Sequence, residues 1–180
     1  IVISDGSGNV EFWTQSGAWK KAPPGTIMQV KQTVKSNEFS SSSTSYVDLM
    51  SVSITPKSTS SKVMIDVDSN VSMIGHSSWR LVRGSTVIYQ GDSSGSSLRG
   101  FGNMYGGAGQ ITDNQSLAIM AKFLDSPSTT SATTYKVQVR VAASSYTMYV
   151  NGDRYSVGQG NDNVYTTRTA SSITAMEVAG

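Results

Sequence analysis

His76 is the only histidine in the chain, so a Ser-His-Asp hydrolase would have to use it as its general base. It stands in Ile74-Gly75-His76-Ser77-Ser78, a setting that predicts a turn between two strands and contains no nucleophile elbow of the Gly-x-Ser-x-Gly type. We interpret His76 as a solvated turn residue. The alternative is a ring of three copies of His76 that binds an ion on a three-fold axis.

Asp66 and Asp68 are the acidic pair that could act in glycoside hydrolysis. They lie two residues apart on a predicted strand, which places both carboxylates on one face about 7 Å apart, within the range that glycosidases use. No third acid or aromatic platform is near them in sequence. We therefore interpret them as part of a polar outer face, and a polysaccharide depolymerase remains the less favoured alternative.

Metal and cofactor motifs are incomplete. The segment 5–11 resembles a calcium loop, but Val10 stands where the loop requires glycine and Ser16 stands where it requires a bidentate Glu. The chain has no cysteine, which excludes disulfides, thiolate nucleophiles and cysteine-ligated zinc. The glycines between residues 100 and 109 lack dinucleotide-binding spacing. We expect no catalytic residue, no metal and no cofactor.

Charge and hydropathy argue against two classes of partner. The 14 basic and 12 acidic residues are spread along the chain and give a net charge of +2, with no basic run that could neutralise a row of phosphates. No segment approaches the roughly 18 consecutive apolar residues of a membrane span. We therefore expect neither nucleic-acid binding nor membrane insertion.

The strongest structural pattern is the alternation of apolar and polar residues. It is clearest over 62–73, where Val63, Ile65 and Val67 fall on one face against Asp66 and Asp68 on the other, and again over 135–141. Weaker strands are predicted over 26–34, 46–54, 78–82, 86–90, 116–124, 146–150 and 172–178. No segment has a convincing helical period.

Turn residues separate these strands. Arg83-Gly84-Ser85 predicts a tight hairpin, and Asn151-Gly152 supplies residues that tolerate a positive φ. Many short strands without helices between them predict an all-β, antiparallel β-sandwich that is jelly-roll-like.

The first 24 residues differ from the rest. Pro23-Pro24 marks a boundary, because proline is excluded from helix interiors and central strands. We predict an N-terminal collar or stalk end over 1–24, built as a short β-hairpin, and a head domain over 25–180. A hairpin carrying Phe12, Trp13 and Trp19 cannot bury these side chains alone, so we predict that neighbouring copies of the chain cover them.

Six blocks of the head carry a resemblance, and they occur in this order: 23–30, 53–62, 79–85, 123–127, 133–139 and 173–177. They begin with Pro-Pro-Gly-Thr-Ile-Met-Gln-Val and end with Ile-Thr-Ala-Met-Glu. The chain resembles the head domain of tail-fibre proteins from marine and cyanobacterial tailed phages.

The resemblance implies a homotrimeric fibre tip at the distal end of the phage tail, and the predicted trimer interface then contains Phe12, Trp13 and Trp19. It implies adsorption to a glycan, such as lipopolysaccharide, or to a protein of the bacterial envelope, and attachment to other tail proteins through a region before Ile1. A structural decoration or spacer without receptor binding is the alternative. No catalytic motif is carried over.

The two longest predicted loops, 91–115 and 152–170, are the candidate receptor-binding segments, because loops on a rigid scaffold commonly carry recognition. Both combine aromatic rings, which stack on sugars, with planar polar groups that hydrogen-bond hydroxyls. The residues predicted in the first loop are Arg99, Phe101, Asn103 and Tyr105. Those predicted in the second are Asp153, Arg154, Tyr155, Asp162, Asn163 and Tyr165. The alternative is that these loops pack on neighbouring protomers or cover the ends of the sandwich.

Overall fold

A computed structural model describes residues 2–4, 10–13, 17, 19–73, 75–106, 116–153 and 167–180, with only the backbone described for 2–4, 10, 12, 19 and 106. These residues form strands connected by turns and loops. The described residues contain no helix, and hence none that could cross a membrane.

The strands form three antiparallel sheets. A small sheet has the order β1 (Val2–Ser4), β2 (Val10–Trp13), β3 (Trp19–Lys21). Sheet I contains β4 (Ile27–Lys35), β5 (Phe39–Ser41), β7 (Lys62–Met73), β11 (Leu117–Asp125), β13 (Met148–Val150) and β14 (Ser171–Val178). Sheet II contains β6 (Val47–Ile54), β8 (Gly75–Arg83), β9 (Thr86–Tyr89), β10 (Tyr105–Gly106) and β12 (Thr133–Val141).

Long central strands organise both large sheets. In sheet I, β13 and β14 lie end to end along one edge of β7, and β11 lies along the other edge. In sheet II, β12 lies between β6 and β8, while β9 and β10 share the second edge of β8. The predicted antiparallel β-sandwich is confirmed, and the jelly-roll-like topology stays a prediction.

The core lies between sheets I and II because alternate residues of each central strand face inward. Val63, Ile65 and Val67 of β7 are fully buried, as are Trp79 of β8 and Val137 of β12. Full burial of such a side chain contributes about 1.5–3 kcal/mol. The period-two pattern of the sequence therefore specifies which face of each strand is inside.

All nine predicted strands are present, and the bounds of β7 match those predicted. The prediction for the surroundings of His76 was wrong, because β8 begins at Gly75 and His76 lies in the strand instead of a turn. Gly75 adopts a φ of +104°, and a Cβ there would lie 2.3 Å from the Tyr146 ring. This glycine lets the chain enter β8 directly against an aromatic ring.

The region predicted as an N-terminal collar contains a small three-stranded sheet. Strands β2 and β3 form the predicted hairpin, with Trp13 paired opposite Trp19, and β1 adds a third strand. The boundary at Pro23-Pro24 lies just before β4, where Gly25 N–H donates to the carbonyl of Ala179 at 2.8 Å. The division into collar and head stays a prediction.

Candidate functional site

The outer face of sheet II carries a polar cluster set by strand alternation. On β8, Ser78 and Arg80 point away from the core, because the residues between them pair with inward-facing residues of β12. On β12, Gln138 and Arg140 lie opposite Arg80 and Ser78 on the same outer face. The strand register therefore brings together side chains that are about 60 residues apart in sequence.

A loop over residues 90–104 runs back along β8. Phe101 N–H donates to the carbonyl of Trp79 at 2.7 Å, and Trp79 N–H donates to the carbonyl of Gly102 at 3.1 Å. Ser77 N–H donates to the carbonyl of Met104 at 3.0 Å. These backbone bonds hold the second half of the loop on the scaffold as an edge segment.

The base of the same loop is fixed by side chains. The carbonyl oxygen of Arg99 accepts hydrogen bonds from the hydroxyls of Tyr46 and Ser78, and Gly91 N–H donates to the carbonyl of Gly100 at 3.1 Å. A Cβ on Gly100 would lie only 2.5 Å from Ser78 Oγ. Only glycine allows this close approach of the loop to β8.

One side of the loop borders a cleft of about 500 Å³, called here the histidine cleft. Among its lining residues are His76, Ser78, Ser97, Phe101, Asn103 and Ala142. The imidazole ring of His76 stacks on the ring of Tyr105, with centroids 4.4 Å apart and an interplanar angle of 26°. Tyr105 is 49% exposed, so the pair forms an accessible aromatic platform.

A second cleft of about 320 Å³, called here the arginine cleft, lies on the other side of the loop tip. Among its lining residues are Tyr46, Arg80, Gln90, Ser96, Arg99 and Arg140. Ser97 and Leu98 line both clefts, so the two form adjoining parts of one surface.

Tyr46 lines the arginine cleft together with Arg80 and Arg140. The Arg80 guanidinium lies 3.8 Å and the Arg140 guanidinium 5.7 Å from the centroid of its ring. Such cation–π contacts contribute about 0.5–1 kcal/mol at exposed sites. The ring thus helps to hold two positive charges on the same surface.

Asp48 is tied to the rim of this cluster. Lys136 Nζ donates to its carboxylate at 2.7 Å, and Gln138 Nε2 donates to the other oxygen at 2.6 Å. The hydrogen bond from Lys136, followed by that from Gln138, lowers the pKa of Asp48. Its negative charge is therefore already compensated by neighbours other than the arginines of the cleft.

No protein-family model matches the chain, and no curated protein matches it.

The structure brings together three of the residues predicted in the first loop. Arg99 lines the arginine cleft, Asn103 lines the histidine cleft, and Tyr105 stacks at its edge. Phe101 also lines the histidine cleft, but its ring stacks on Tyr89 at a centroid distance of 5.6 Å. Phe101 therefore supports the loop as well as bordering the cleft.

The other predicted residues fall into three groups. Asp153 is only 3% exposed, so its side chain does not lie on the protein surface. Trp13 is 50% exposed, while Phe12 and Trp19 are described only by their backbones in β2 and β3. Five predicted receptor-binding residues lie outside the described part of the chain: Arg154, Tyr155, Asp162, Asn163 and Tyr165.

Sequence reasoning missed Tyr46, Arg80 and Arg140, because none of them lies in a long loop: Arg80 and Arg140 belong to β8 and β12, and Tyr46 lies just before β6. Arg140 had a usable signal, since it continues the outward-facing alternation of Lys136 and Gln138 on β12. Large polar side chains on the outer face of a strand are candidates for ligand binding, just as loop residues are.

The loop also contains Gly91-Asp92-Ser93-Ser94-Gly95, which fits the Gly-x-Ser-x-Gly pattern. A nucleophile elbow requires a sharp strand-to-helix turn that raises the serine above a sheet. Here the segment is an exposed loop after β9, and Ser97 N–H donates to the carbonyl of Ser94 in a simple turn. The local structure does not match an elbow.

Asp66 pairs with Lys122 across β7 and β11 on the outer face of sheet I. Within the described ranges, no three His, Asp or Glu side chains are grouped so that they could hold a metal ion.

Proposed function

We propose that this chain is the receptor-binding head of a bacteriophage tail fibre and that it attaches non-covalently to a glycan of the host envelope. The observation that carries the proposal is the exposed platform of His76 and Tyr105 beside the histidine cleft. Aromatic faces stack on the apolar faces of sugar rings, and the neighbouring Ser and Asn side chains can bond sugar hydroxyls.

A rigid scaffold supports this assignment. The loop that borders both clefts is held to β8 by backbone hydrogen bonds and at its base by Tyr46 and Ser78. Fixing the binding groups before the ligand arrives reduces the entropy lost on binding. The resemblance of the framework blocks to phage tail-fibre heads supports the virion location.

We propose further that the head is a homotrimer. Val30, Met176, Met64 and Leu124 lie in register across four strands and form an apolar row on the outer face of sheet I. Val30 is 54% exposed and Leu124 is 43% exposed. Contact with neighbouring copies would bury this row together with Trp13, and three weak receptor sites would then bind as one unit.

Labelled protein and a panel of bacteria with intact or truncated surface polysaccharide provide the test. The protein should bind cells that keep the polysaccharide, and Tyr105→Ala should bind about five- to tenfold less, since one stacking contact contributes about 1–1.5 kcal/mol. Tyr149→Phe, a change on short strand β13 of sheet I, is the matched control.

Cell binding, together with an assay for polysaccharide cleavage, separates the alternatives. A spacer or decoration would bind no cells at all. A polysaccharide depolymerase would release oligosaccharides from purified host polysaccharide, and Ser93→Ala or Asp66→Asn would abolish that release. We expect binding without any shortening of the polysaccharide.

A further inference from the structure

We infer that the arginine cleft binds an acidic group of the receptor glycan, a carboxylate, sulfate or phosphate, so that the receptor is an anionic polysaccharide. This inference rests on the proposed function, because it names the ligand class of the same surface.

The first support is uncompensated charge. Ion pairs in the described ranges join Arg83 to Asp125, Lys122 to Asp66, Lys136 to Asp48 and Arg168 to Glu38. None of the pairs in those ranges includes Arg80, Arg99 or Arg140. The cleft therefore gathers three cations whose neutralising partner is not supplied by the described residues.

The second support is the way in which the arginines are held. Arg80 Nε donates to Gln138 Oε1 at 2.9 Å, and Arg99 Nε donates to the carbonyl of Gly91 at 3.0 Å. Arg140 Nε contacts the carbonyl of the next residue at 3.5 Å. In each case Nε makes the contact, while the terminal nitrogens make no hydrogen bond within the described residues.

This arrangement suits an oxyanion. A guanidinium carries five N–H donors in a planar fork that matches the oxygens of a carboxylate or phosphate. Contacts through Nε, and the Tyr46 ring beneath Arg80, orient the forks and leave their outer donors available. Two cations near one ring repel each other, so an anion between them removes an unfavourable interaction.

The position of the arginine cleft indicates where the sugars next to a bound acidic group would lie. The arginine and histidine clefts share Ser97 and Leu98. An acidic residue held by the arginines would therefore place the adjoining sugar beside the His76–Tyr105 platform. A polysaccharide that alternates acidic and neutral units fits both clefts at once.

Calorimetry on the whole chain with matched probes tests the inference. The probes are hexagalacturonate and its carboxyl-reduced form, a sulfated galactan hexasaccharide and its desulfated form, and inorganic phosphate. The acidic member of at least one pair should bind about tenfold or more tightly than its neutral form, and binding should weaken as salt rises from about 50 to about 500 mM.

Three variants identify the groups that bind. The double variant Arg99→Gln/Arg140→Gln should lose the preference for the acidic probe. Arg140→Lys keeps the positive charge but not the planar fork of N–H donors. It should lose part of the preference for the acidic probe. Lys31→Gln, an exposed change on β4, removes a charge without touching the cleft and should bind like the wild type. Equal binding of acidic and neutral probes, or a double variant that binds like Lys31→Gln, would overturn the inference.

Phosphate titration followed by NMR of the arginine Nε–H groups separates this inference from the proposed function. If envelope glycans bind at the histidine cleft and the arginine variants bind equally well, the anion site is wrong and the receptor function stands. If no envelope glycan binds but phosphate shifts the Nε–H signals of Arg80, Arg99 and Arg140, the receptor function is wrong and the anion site stands.

Discussion

Asn151 is a single buried side chain on which several segments depend. It is fully buried with a φ of 62°, and its Nδ2 donates to the carbonyls of Lys35 and Asn37 at 2.8 and 3.1 Å. Its Oδ1 accepts a hydrogen bond from Ser171 Oγ at 2.6 Å. This one amide therefore joins the link between β4 and β5 to the start of β14.

Substitutions of Asn151 should separate the contribution of its side-chain hydrogen bonds from that of its backbone conformation. Asn151→Gly keeps the positive φ but leaves buried polar groups unpaired, and we expect a loss of about 2–4 kcal/mol. Asn151→Ala adds the strain of a left-handed conformation, about a further 1 kcal/mol. Urea unfolding measures both values. Equal stability of Asn151→Ala and the wild type would show that the amide is not a structural hub.

Asp48 gives the fold a pH dependence at the edge of sheet II. Hydrogen bonds from Lys136 and Gln138 lower its pKa below the ordinary value of 3.8, so the folded state favours the charged form. The stabilisation is therefore complete above that value and is lost as the pH falls through the lowered pKa. Because Asp48 is largely solvated, the contribution should stay below about 1 kcal/mol.

Comparison of Asp48→Asn with the wild type checks this dependence. The variant should be less stable at pH 7, and the difference should shrink as the pH falls from about 5 to about 2. Thermal unfolding at several pH values gives the measurement, with Asp68→Asn as the exposed control on β7. A stability difference that grows in acid would contradict the proposed pairing.

At the scale of elements, the loop over 90–104 depends on glycine at its contact with β8. A Cβ on Gly100 would lie 2.6 Å from the backbone oxygen of Trp79, which cannot move without disturbing the strand. Gly100→Ala should therefore lift the loop, speed proteolytic cleavage within it and weaken glycan binding about tenfold or more, while the core remains folded. Limited proteolysis and circular dichroism measure the two effects.

Ser96→Ala is the matched control for this prediction, because Ser96 is an exposed residue of the same loop. It should leave proteolysis unchanged. A Gly100→Ala loop that resists protease as well as the wild type would show that the close approach to β8 is not needed.

Much of the framework could be predicted from sequence, because strand alternation is local. Val63, Ile65 and Val67 alone specify the buried face of β7. The short strands β5 and β10 were missed, since two or three residues carry no measurable period. The edge segment before β10 exists because Phe101 and Gly102 bond to β8, and this non-local pairing leaves no periodic pattern.

The candidate site could be predicted only in part. Asn103 and Tyr105 were predicted from loop composition, and both border the histidine cleft. Arg80 and Arg140 meet through the register of β8 and β12, which depends on long-range pairing, and Tyr46, just before β6, contacts both of them. Predicting binding residues from loops alone overlooks a site whose residues lie on the outer faces of strands.

At the scale of the whole molecule, the two outer faces of the sandwich differ in chemistry. Sheet I presents the apolar row of Val30, Met176, Met64 and Leu124, while sheet II presents the arginine cleft. This division is consistent with the proposal that the outer face of sheet I serves assembly and that of sheet II serves ligand binding.

Leu124→Asp should disrupt the proposed trimer, because a charge buried between protomers is strongly unfavourable. Sedimentation analysis should give three times 19.1 kDa for the wild type and 19.1 kDa for the variant. Ser51→Asp, an exposed change on sheet II, should remain trimeric. A wild-type protein that is monomeric at micromolar concentration would contradict the trimer.

The most direct test of the central claim is a glycan array of acidic and neutral bacterial envelope polysaccharides, read with the wild type, Tyr105→Ala and Leu117→Ser. Leu117 is an exposed apolar residue of β11 and controls for general surface adhesion. The proposed function predicts selective binding by the wild type and Leu117→Ser that Tyr105→Ala loses. Binding to no glycan, or equal binding by all three proteins, would contradict it.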